Sequence, residues 1–404
     1  MAASFQTARV LLQSKDSVKR RSKVGTVFER NIDAVETFHL ASSSVNARNG
    51  RRNFHLTVPA KLRVDPKYDV DVEHARSAWI SLRQRHPALA SLIHGSKRIY
   101  QKFQPGHIQS YLPATEMPAM YLLPEPMVFA LRTSHYLMDA LGAEARSLPS
   151  ASISQLARLW NVRRRWLWNY PTVGVVELEY MPASTKALVV KARKHNMSVT
   201  HVLHAGVAFA AKEYGPFMLT RNYNSVIIVD QRRCRAEQLQ SPSQAQNGIG
   251  NETVSAQHAM WPISVPVTSF WKTAEESKTA YQDASSDPDL PALIEPTFAE
   301  VLSLSSTRPP PDRPSYSSTL ILGSCDRIDD FLESTYEGLT VGDFSISARC
   351  SGEEVVVLVW TYQEKLRIRV MFNEGSHSAK GIERYLHLVQ VALRNGVGVS
   401  PTSD

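Results

Sequence analysis

The residues that could carry chemistry lie in the segment SHYLMDA at positions 134–140. Of the 13 histidines, His135 is the only one followed by an aspartate four residues later, Asp139. The preceding run MVFALRTS predicts a strand that ends directly before His135. A histidine at a strand end can face a cleft, where a neutral imidazole can take up a proton near neutral pH. His135 is therefore a candidate general base, and a structural histidine is the alternative.

The elements around this segment indicate an α/β chain in two halves. The run NFHLTVPAKLRV predicts a strand before the motif, and apolar residues at helical spacing predict a helix from Asp71 to His86. After a break at Pro171, the sequence predicts the strand VGVVELEYM and two helices, capped by Ser184 and Ser198. We predict a disordered basic tail over 1–25, an N-terminal half over 26–172 that carries the motif, and a C-terminal half over 173–404.

The C-terminal half continues with alternating strand and helix signals. The strand NSVIIVD follows the two helices, and Ser269 is the predicted cap of the helix FWKTAEESKTAYQDA. The proline cluster TRPPPDRP predicts a linker or an extended crossover. The runs LTVGDFSIS, EEVVVLVWT and KLRIRVMFN predict strands, and an amphipathic helix ends the chain. The expected architecture is two halves, each a mixed sheet with helices, joined by a crossover.

Composition limits the classes of function. The 404 residues are 43% hydrophobic, with a formal net charge of +8, which favours anionic partners such as coenzyme A, nucleotides or nucleic acid. The sequence contains no run of 18 apolar residues, so no membrane span is expected. The basic N-terminal segment lacks the features of a secretory signal, although an organelle-transit segment remains an alternative. The three cysteines form no CxxC pair, so we expect a reducing, cytoplasmic location and no metal.

The segment SHYLMDA resembles the HxxxDG motif of the superfamily that holds chloramphenicol acetyltransferase, plant BAHD acyltransferases and peptide-synthetase condensation domains. The resemblance includes the fungal trichothecene 15-O-acetyltransferase-like enzymes and covers about 370 residues. The further segments that carry it, in chain order, are Phe28-Glu29-Arg30, SAWISLRQRHPALAS, SVTHVLHAGVAFAA, Asp230-Gln231-Arg232, Gly250-Asn251, FWKTAEESKTAY, YSSTLILGSCD and LRIRVMFNEG.

The resemblance implies an active-site channel between two chloramphenicol-acetyltransferase-like halves and transfer of an acyl group. His135 would deprotonate the acceptor as it attacks an acyl thioester, with acetyl-CoA as the favoured donor. Asp139 would pair with an arginine and hold the loop in shape, and Arg232 is the first candidate partner, with Arg233 the second. The implied acceptor is a hydroxylated secondary metabolite such as a terpenoid or polyketide. We expect the protein to be a monomer.

The sequence departs from the superfamily pattern at three points, the first being Ser134, which stands where a first motif histidine is common. Ala140 stands where the motif glycine is usual, and Asp343-Phe344-Ser345 is at best a remnant of the DFGWG box of the plant enzymes. An enzyme of the same fold that performs a non-acyl reaction, namely cyclisation, isomerisation or elimination, therefore remains an alternative. An inactive binding homologue is another.

Other candidate motifs favour structural interpretations. Arg163, Arg164 and Arg165 lie among tryptophans, which is more typical of a helix with a buried aromatic face than of a nucleic-acid site. His201 and His204 are three residues apart with no acidic neighbour, so core or surface histidines are favoured over metal ligands. No GxSxG, Walker or GxGxxG motif occurs, and no nucleic acid or membrane partner is expected.

Overall fold

The computed structural model describes the second half of the chain more fully than the first. The described residues are 21–23, 27–32, 37, 55–67, 80–81, 91–94, 96–101, 119–124, 127–134, 173–214, 222–230, 258–287, 320–330, 332–348, 350 and 355–401. The predicted first helix and the Arg/Trp segment fall almost wholly outside these ranges. None of the helices within them is long and apolar enough to cross a membrane.

The strands of the first part of the chain form two groups. A four-stranded antiparallel sheet has the order β1-β2-β5-β4. The strands β3, β7 and β6 pair in that order within a second sheet. The bounds are β1 Arg21–Lys23, β2 Val27–Asn31, β3 His55–Val64, β4 Ser91–His94, β5 Lys97–Gln101, β6 Ala119–Pro124 and β7 Met127–Ser134.

The second part of the chain builds a six-stranded sheet and its helices. We call the sheet of order β10-β9-β11-β15-β16-β8 the C-terminal sheet. Within it, β11 runs parallel to β9 and β15, and the other pairs are antiparallel. The bounds are β8 Val173–Tyr180, α1 Pro182–Lys194, α2 Val199–Tyr214, β9 Asn222–Asp230, β10 His258–Pro266, α3 Phe270–Ser286, β11 Leu320–Arg327, β15 Val355–Tyr362, β16 Lys365–Asn373 and α4 Ala379–Val397.

Three short strands near the end of the chain join the sheet of the first part. They are β12 Thr335–Tyr336, β13 Leu339–Phe344 and β14 Ser347–Ala348. Both β13 and β14 pair with β3, so this sheet has the order β12-β13-β3-β7-β6 with β14 also on β3. We call it the crossover sheet. This pairing shows that the late part of the chain crosses to the sheet of the first part. The proline cluster TRPPPDRP lies outside the described residues, and the bounds of the two halves stay a prediction.

The two faces of the C-terminal sheet bury two different cores. Strand β15 alternates its side chains, so that Val357 and Val359 face the helices while Leu358 and Trp360 face the crossover sheet. The helix-side core includes α2, whose buried Ala205, Gly206 and Ala208 allow α4 to approach closely. A Cβ built on Gly206 would lie 3.0 Å from Leu393 of α4. The prediction that α2 is buried is confirmed.

The predicted helix starts are partly confirmed. Ser198 caps α2, because its Oγ accepts a hydrogen bond from the backbone N–H of His201 at 3.3 Å. Ser269 is the N-cap residue of α3, although its side chain makes no capping bond. The cap predicted at Ser184 is wrong. Helix α1 begins at Pro182, whose fixed φ suits the first helical turn, and Ser184 is buried inside the helix.

Candidate active site

The predicted general base follows a central strand of the crossover sheet. Strand β7 ends at Ser134, directly before His135, as the sequence predicts. Ser134, the last residue of β7, pairs with His55, the first residue of β3, so β7 ends beside the start of β3. His135 and Asp139 lie outside the described residues, and their roles therefore stay predictions.

The candidate arginines follow a strand of the C-terminal sheet. Strand β9 ends at Asp230, opposite His258 of β10, and Arg232 and Arg233 come two and three residues later. Both arginines lie outside the described residues, so the predicted pairing of Asp139 with Arg232 is untested.

Strand β9 ends on the side of the C-terminal sheet where the carboxyl ends of its parallel strands meet, which is a common location for binding sites. Strands β9, β11 and β15 are parallel, so their carboxyl ends meet at this edge, and ligands of α/β sheets usually bind outside the carboxyl ends of strands. The start of α2 lies at the same edge, because the Thr200 hydroxyl donates a hydrogen bond of 3.0 Å to Ser324 Oγ of β11. Polar groups of α2 and β11 therefore meet in the carboxyl half of β11, which runs parallel to the strand that precedes Arg232 in the sequence.

His204 of α2 lies in the core on the helix side of the C-terminal sheet. Its ring is fully buried and lies within hydrogen-bond distance of two hydroxyls, at 3.1 Å from Tyr281 and 3.4 Å from Tyr223. Burial, together with the neighbouring His201, lowers the pKa of His204 to about 3. Burial and the charge of Lys278 lower the pKa of His201 to about 4. Of the two alternatives that the sequence left open, core or surface, His204 occupies the core, and its neutral ring links α2 to α3 and β9.

A group of charged residues between the two sheets is not among the candidates that the sequence pattern indicates. Arg367 of β16 is 9% exposed and pairs with Asp343 of β13 and, at 2.8 Å, with Glu179 of β8. Its guanidinium also donates to the carbonyl of Phe344 at 2.8 Å. Burial acts to raise the pKa of Asp343, but hydrogen bonds and charge from Arg367 and then Lys61 outweigh it, so that pKa lies below its ordinary value.

Arg369 makes a second set of bonds between the sheets. Its Nε donates to Glu177 at 2.6 Å, and its Nη1 donates to the carbonyl of Ile346 at 3.0 Å and to Ser347 Oγ at 2.8 Å. Its guanidinium also lies 5.3 Å from the centre of the Trp360 ring. Sequence alone offers one signal for these arginines, the charged residues that alternate with apolar ones in KLRIRVMFN. That alternation predicts exposed positions, whereas both guanidiniums are enclosed between the sheets.

The described residues contain no group of three histidine, cysteine, aspartate or glutamate side chains that could hold a metal ion. Two of the three cysteines, Cys325 and Cys350, are buried in the core between the two sheets. Cys234 lies outside the described residues.

Comparison with known proteins supports the resemblance found in the sequence. No protein-family model matches the chain. The O-acetyltransferase pigM of Monascus ruber is 19% identical over 92% of this chain and 86% of its own length.

Solved structures match over nearly the full chain. The trichothecene 15-O-acetyltransferase of Fusarium sporotrichioides superposes with a TM-score of 0.69 at 12% identity, over 94% of this chain and 97% of that one. The 404-residue chain therefore has the fold of the condensation-domain-like acyltransferases. The epimerization domain from tyrocidine synthetase B shares that fold, with a TM-score of 0.57 at 11% identity over 95% and 98% of the two chains. A condensation domain of the CDA synthetase is also matched. The predicted superfamily fold, with its two lobes, is confirmed.

Proposed function

We propose that the chain is an acyl-CoA-dependent acyltransferase that acetylates a hydroxyl group of a secondary metabolite, with His135 as general base. The observation that carries this proposal is the fold shared with a trichothecene 15-O-acetyltransferase over 94% of the chain. The sequence match to an O-acetyltransferase over 92% of the chain points the same way. Strand β7 ends directly before His135, and a residue just after a strand end can face a cleft and act there as a base.

The reaction needs three contributions from the protein. His135 would take the proton of the acceptor hydroxyl as its oxygen attacks the thioester carbonyl, and the thiolate of coenzyme A would leave with that proton. Asp139 would shape the loop through a bidentate pair with Arg232, or with Arg233 as second choice. A hydrogen-bond donor to the carbonyl oxygen is also required, because negative charge develops there.

The experiment that tests the proposal is release of thiol from a panel of acyl-CoAs, in the presence of a mixture of hydroxylated metabolites. We expect acceptor-dependent release with wild-type protein, and a loss of about 10²–10⁴-fold in His135→Ala. The matched control is His387→Ala, which replaces an exposed histidine on α4 and should leave the rate unchanged. Thiol release that is equal in wild type and His135→Ala would contradict the assignment of the base.

A second candidate function follows from one of the structural matches. The fold is shared with an epimerization domain of a peptide synthetase, so a non-acyl reaction at the same site is the alternative. Such an enzyme would depend on His135 but would release no thiol from any acyl-CoA. An inactive binding homologue, for which Ala140 would be the signature, would tolerate His135→Ala without change in its binding.

The remaining parts of the proposal concern the setting of the enzyme. We propose a monomer in the cytoplasm that takes acetyl-CoA and a small-molecule acceptor, with no metal. Gel filtration at micromolar concentration tests the monomer, and the acyl-CoA panel tests the preference for acetyl over longer chains.

A further inference from the structure

We propose that Arg369 is a positioning residue that fixes the end of β7, the strand that leads into His135. The proposal rests on the function proposed above for its catalytic consequence, and on contacts of the described residues for its structural part. The described contacts of Arg369 are with Glu177, Trp360 and the start of β14, so it acts on β7 through two strands of the crossover sheet.

The first step of the argument is the bond set of Arg369. The guanidinium is anchored on the C-terminal sheet by Glu177 of β8 and by a cation–π contact with Trp360. Glu177 is 28% exposed and partly accessible to solvent, whereas the Arg369 side chain is 13% exposed, so that the guanidinium is largely enclosed. From this fixed position it donates to the Ile346 carbonyl and to Ser347 Oγ at the start of β14. Arg369 therefore holds β14 at one place relative to the C-terminal sheet.

The second step is the register of the crossover sheet. Ser347 lies opposite Thr57 of β3, and Thr57 lies opposite Arg132 of β7. Strands in a sheet are about 4.8 Å apart, so the contact of Arg369 with β14 lies roughly 10 Å across the sheet from β7. Arg132 is the third residue before His135. The strand end that precedes the base is thus at the level of the Arg369 contact.

Arg367 contacts the crossover sheet nearer to the start of β7 than Arg369 does. Arg367 binds Asp343, which lies opposite Lys61 of β3, and Lys61 lies opposite Val128 of β7. Val128 is near the start of β7 and far from His135 along the strand. The two arginines therefore fix the two ends of β7, and the one that fixes the end next to His135 is Arg369.

The backbone consequence is tested by hydrogen exchange, which needs no substrate. In Arg369→Gln, we expect amides of residues 131–134 to exchange at least ten-fold faster than in wild type, while those of residues 127–129 change less. Lys365→Gln is the matched control, because Lys365 is a cation on the same strand that binds Glu179 and makes no bond to β14. Unchanged exchange at 131–134 in Arg369→Gln would overturn the proposal.

The catalytic consequence is tested by thiol release. We expect Arg369→Gln to lower kcat about ten-fold or more with KM within two-fold of wild type, since small displacements of a catalytic group are costly. Arg369→Lys keeps a charge for Glu177 but cannot reach all the acceptors, and should recover part of kcat. Faster exchange with an unchanged kcat would also overturn the proposal. If His135→Ala retains full activity, the proposed base fails, and the exchange result still decides whether Arg369 fixes β7.

Discussion

His204 makes the stability of the protein sensitive to mild acid. The folded protein holds this histidine neutral, with a pKa of about 3, because the ring is fully buried. In the unfolded chain a histidine has a pKa near 6.5, so below that pH the unfolded state binds a proton that the folded state does not. The free energy of unfolding contributed by neutral His204 is therefore complete above pH 6.5 and is lost as pH falls towards 3.

The size of the effect follows from the two pKa values. Each pH unit below 6.5 costs about 1.4 kcal/mol, so His204 alone lowers the free energy of unfolding by about 2 kcal/mol between pH 7 and pH 5. The carboxylates of Asp343 and Glu179 have lowered pKa values in the folded protein, so the stability that they contribute is lost only as pH falls below the carboxyl pKa of the unfolded chain, about 4. The interval from pH 7 to pH 5 therefore reports mainly on buried histidines.

The assay is urea unfolding at pH 7 and pH 5 for wild type and His204→Gln. Glutamine does not titrate and can still contact the hydroxyls of Tyr281 and Tyr223. We expect the loss of stability between the two pH values to be about 2 kcal/mol smaller in His204→Gln, whatever its stability at pH 7. His387→Gln, on the exposed face of α4, should behave as wild type. Equal pH dependence in wild type and His204→Gln would refute the reasoning.

Two further predictions concern the core. Tyr180→Phe should raise the free energy of unfolding by about 1 kcal/mol, measured by urea titration, because the Tyr180 hydroxyl is buried without a hydrogen-bond partner among the described residues. Gly396→Ala should lower it by about 1–3 kcal/mol, because the new Cβ would lie 2.2 Å from the Phe270 ring. Gly342→Ala is its control, since the nearest atoms would be 3.8 Å away. No gain in the first variant, or equal losses in the two glycine variants, would contradict these assignments.

Local pattern was sufficient to predict many of the described elements, among them β3, β7, β8, β9, β15, β16 and the four helices, but it gave no prediction for β4, β5, β6 or β10. The alternation in KLRIRVMFN predicts β16 at its observed bounds, and Ser198 marks the start of α2. The cap at Ser184 is wrong because two signals competed, and Pro182 at the first helical position decided the start. Rules based on neighbouring residues predict the bounds of a helix or strand where a single signal, such as one capping residue, is present.

The contacts between the sheets could not be predicted in this way. Asp343 and Arg367 belong to different sheets, and their contact depends on the register of β13 on β3 and of β16 on β15. A shift of one residue would turn either side chain to the opposite face. The superfamily resemblance predicted the two-lobed fold, but the segment Asp343-Phe344-Ser345 gave no sign that Arg367 holds it. The arrangement of His135, Asp139 and Arg232 depends on segments outside the described residues.

The pairing of β3 with β13 and β14 sets the order in which the chain can fold during synthesis. Strand β3 is translated early, yet its partners on one side begin only at residue 339. At typical translation rates of about 5–20 residues per second, that side of β3 stays unpaired for roughly 15–60 s. An open strand edge with apolar side chains such as Val58 and Leu62 is prone to associate with other chains. A nascent chain halted before residue 335 should therefore need chaperone protection, and that need should end once β13 and β14 emerge.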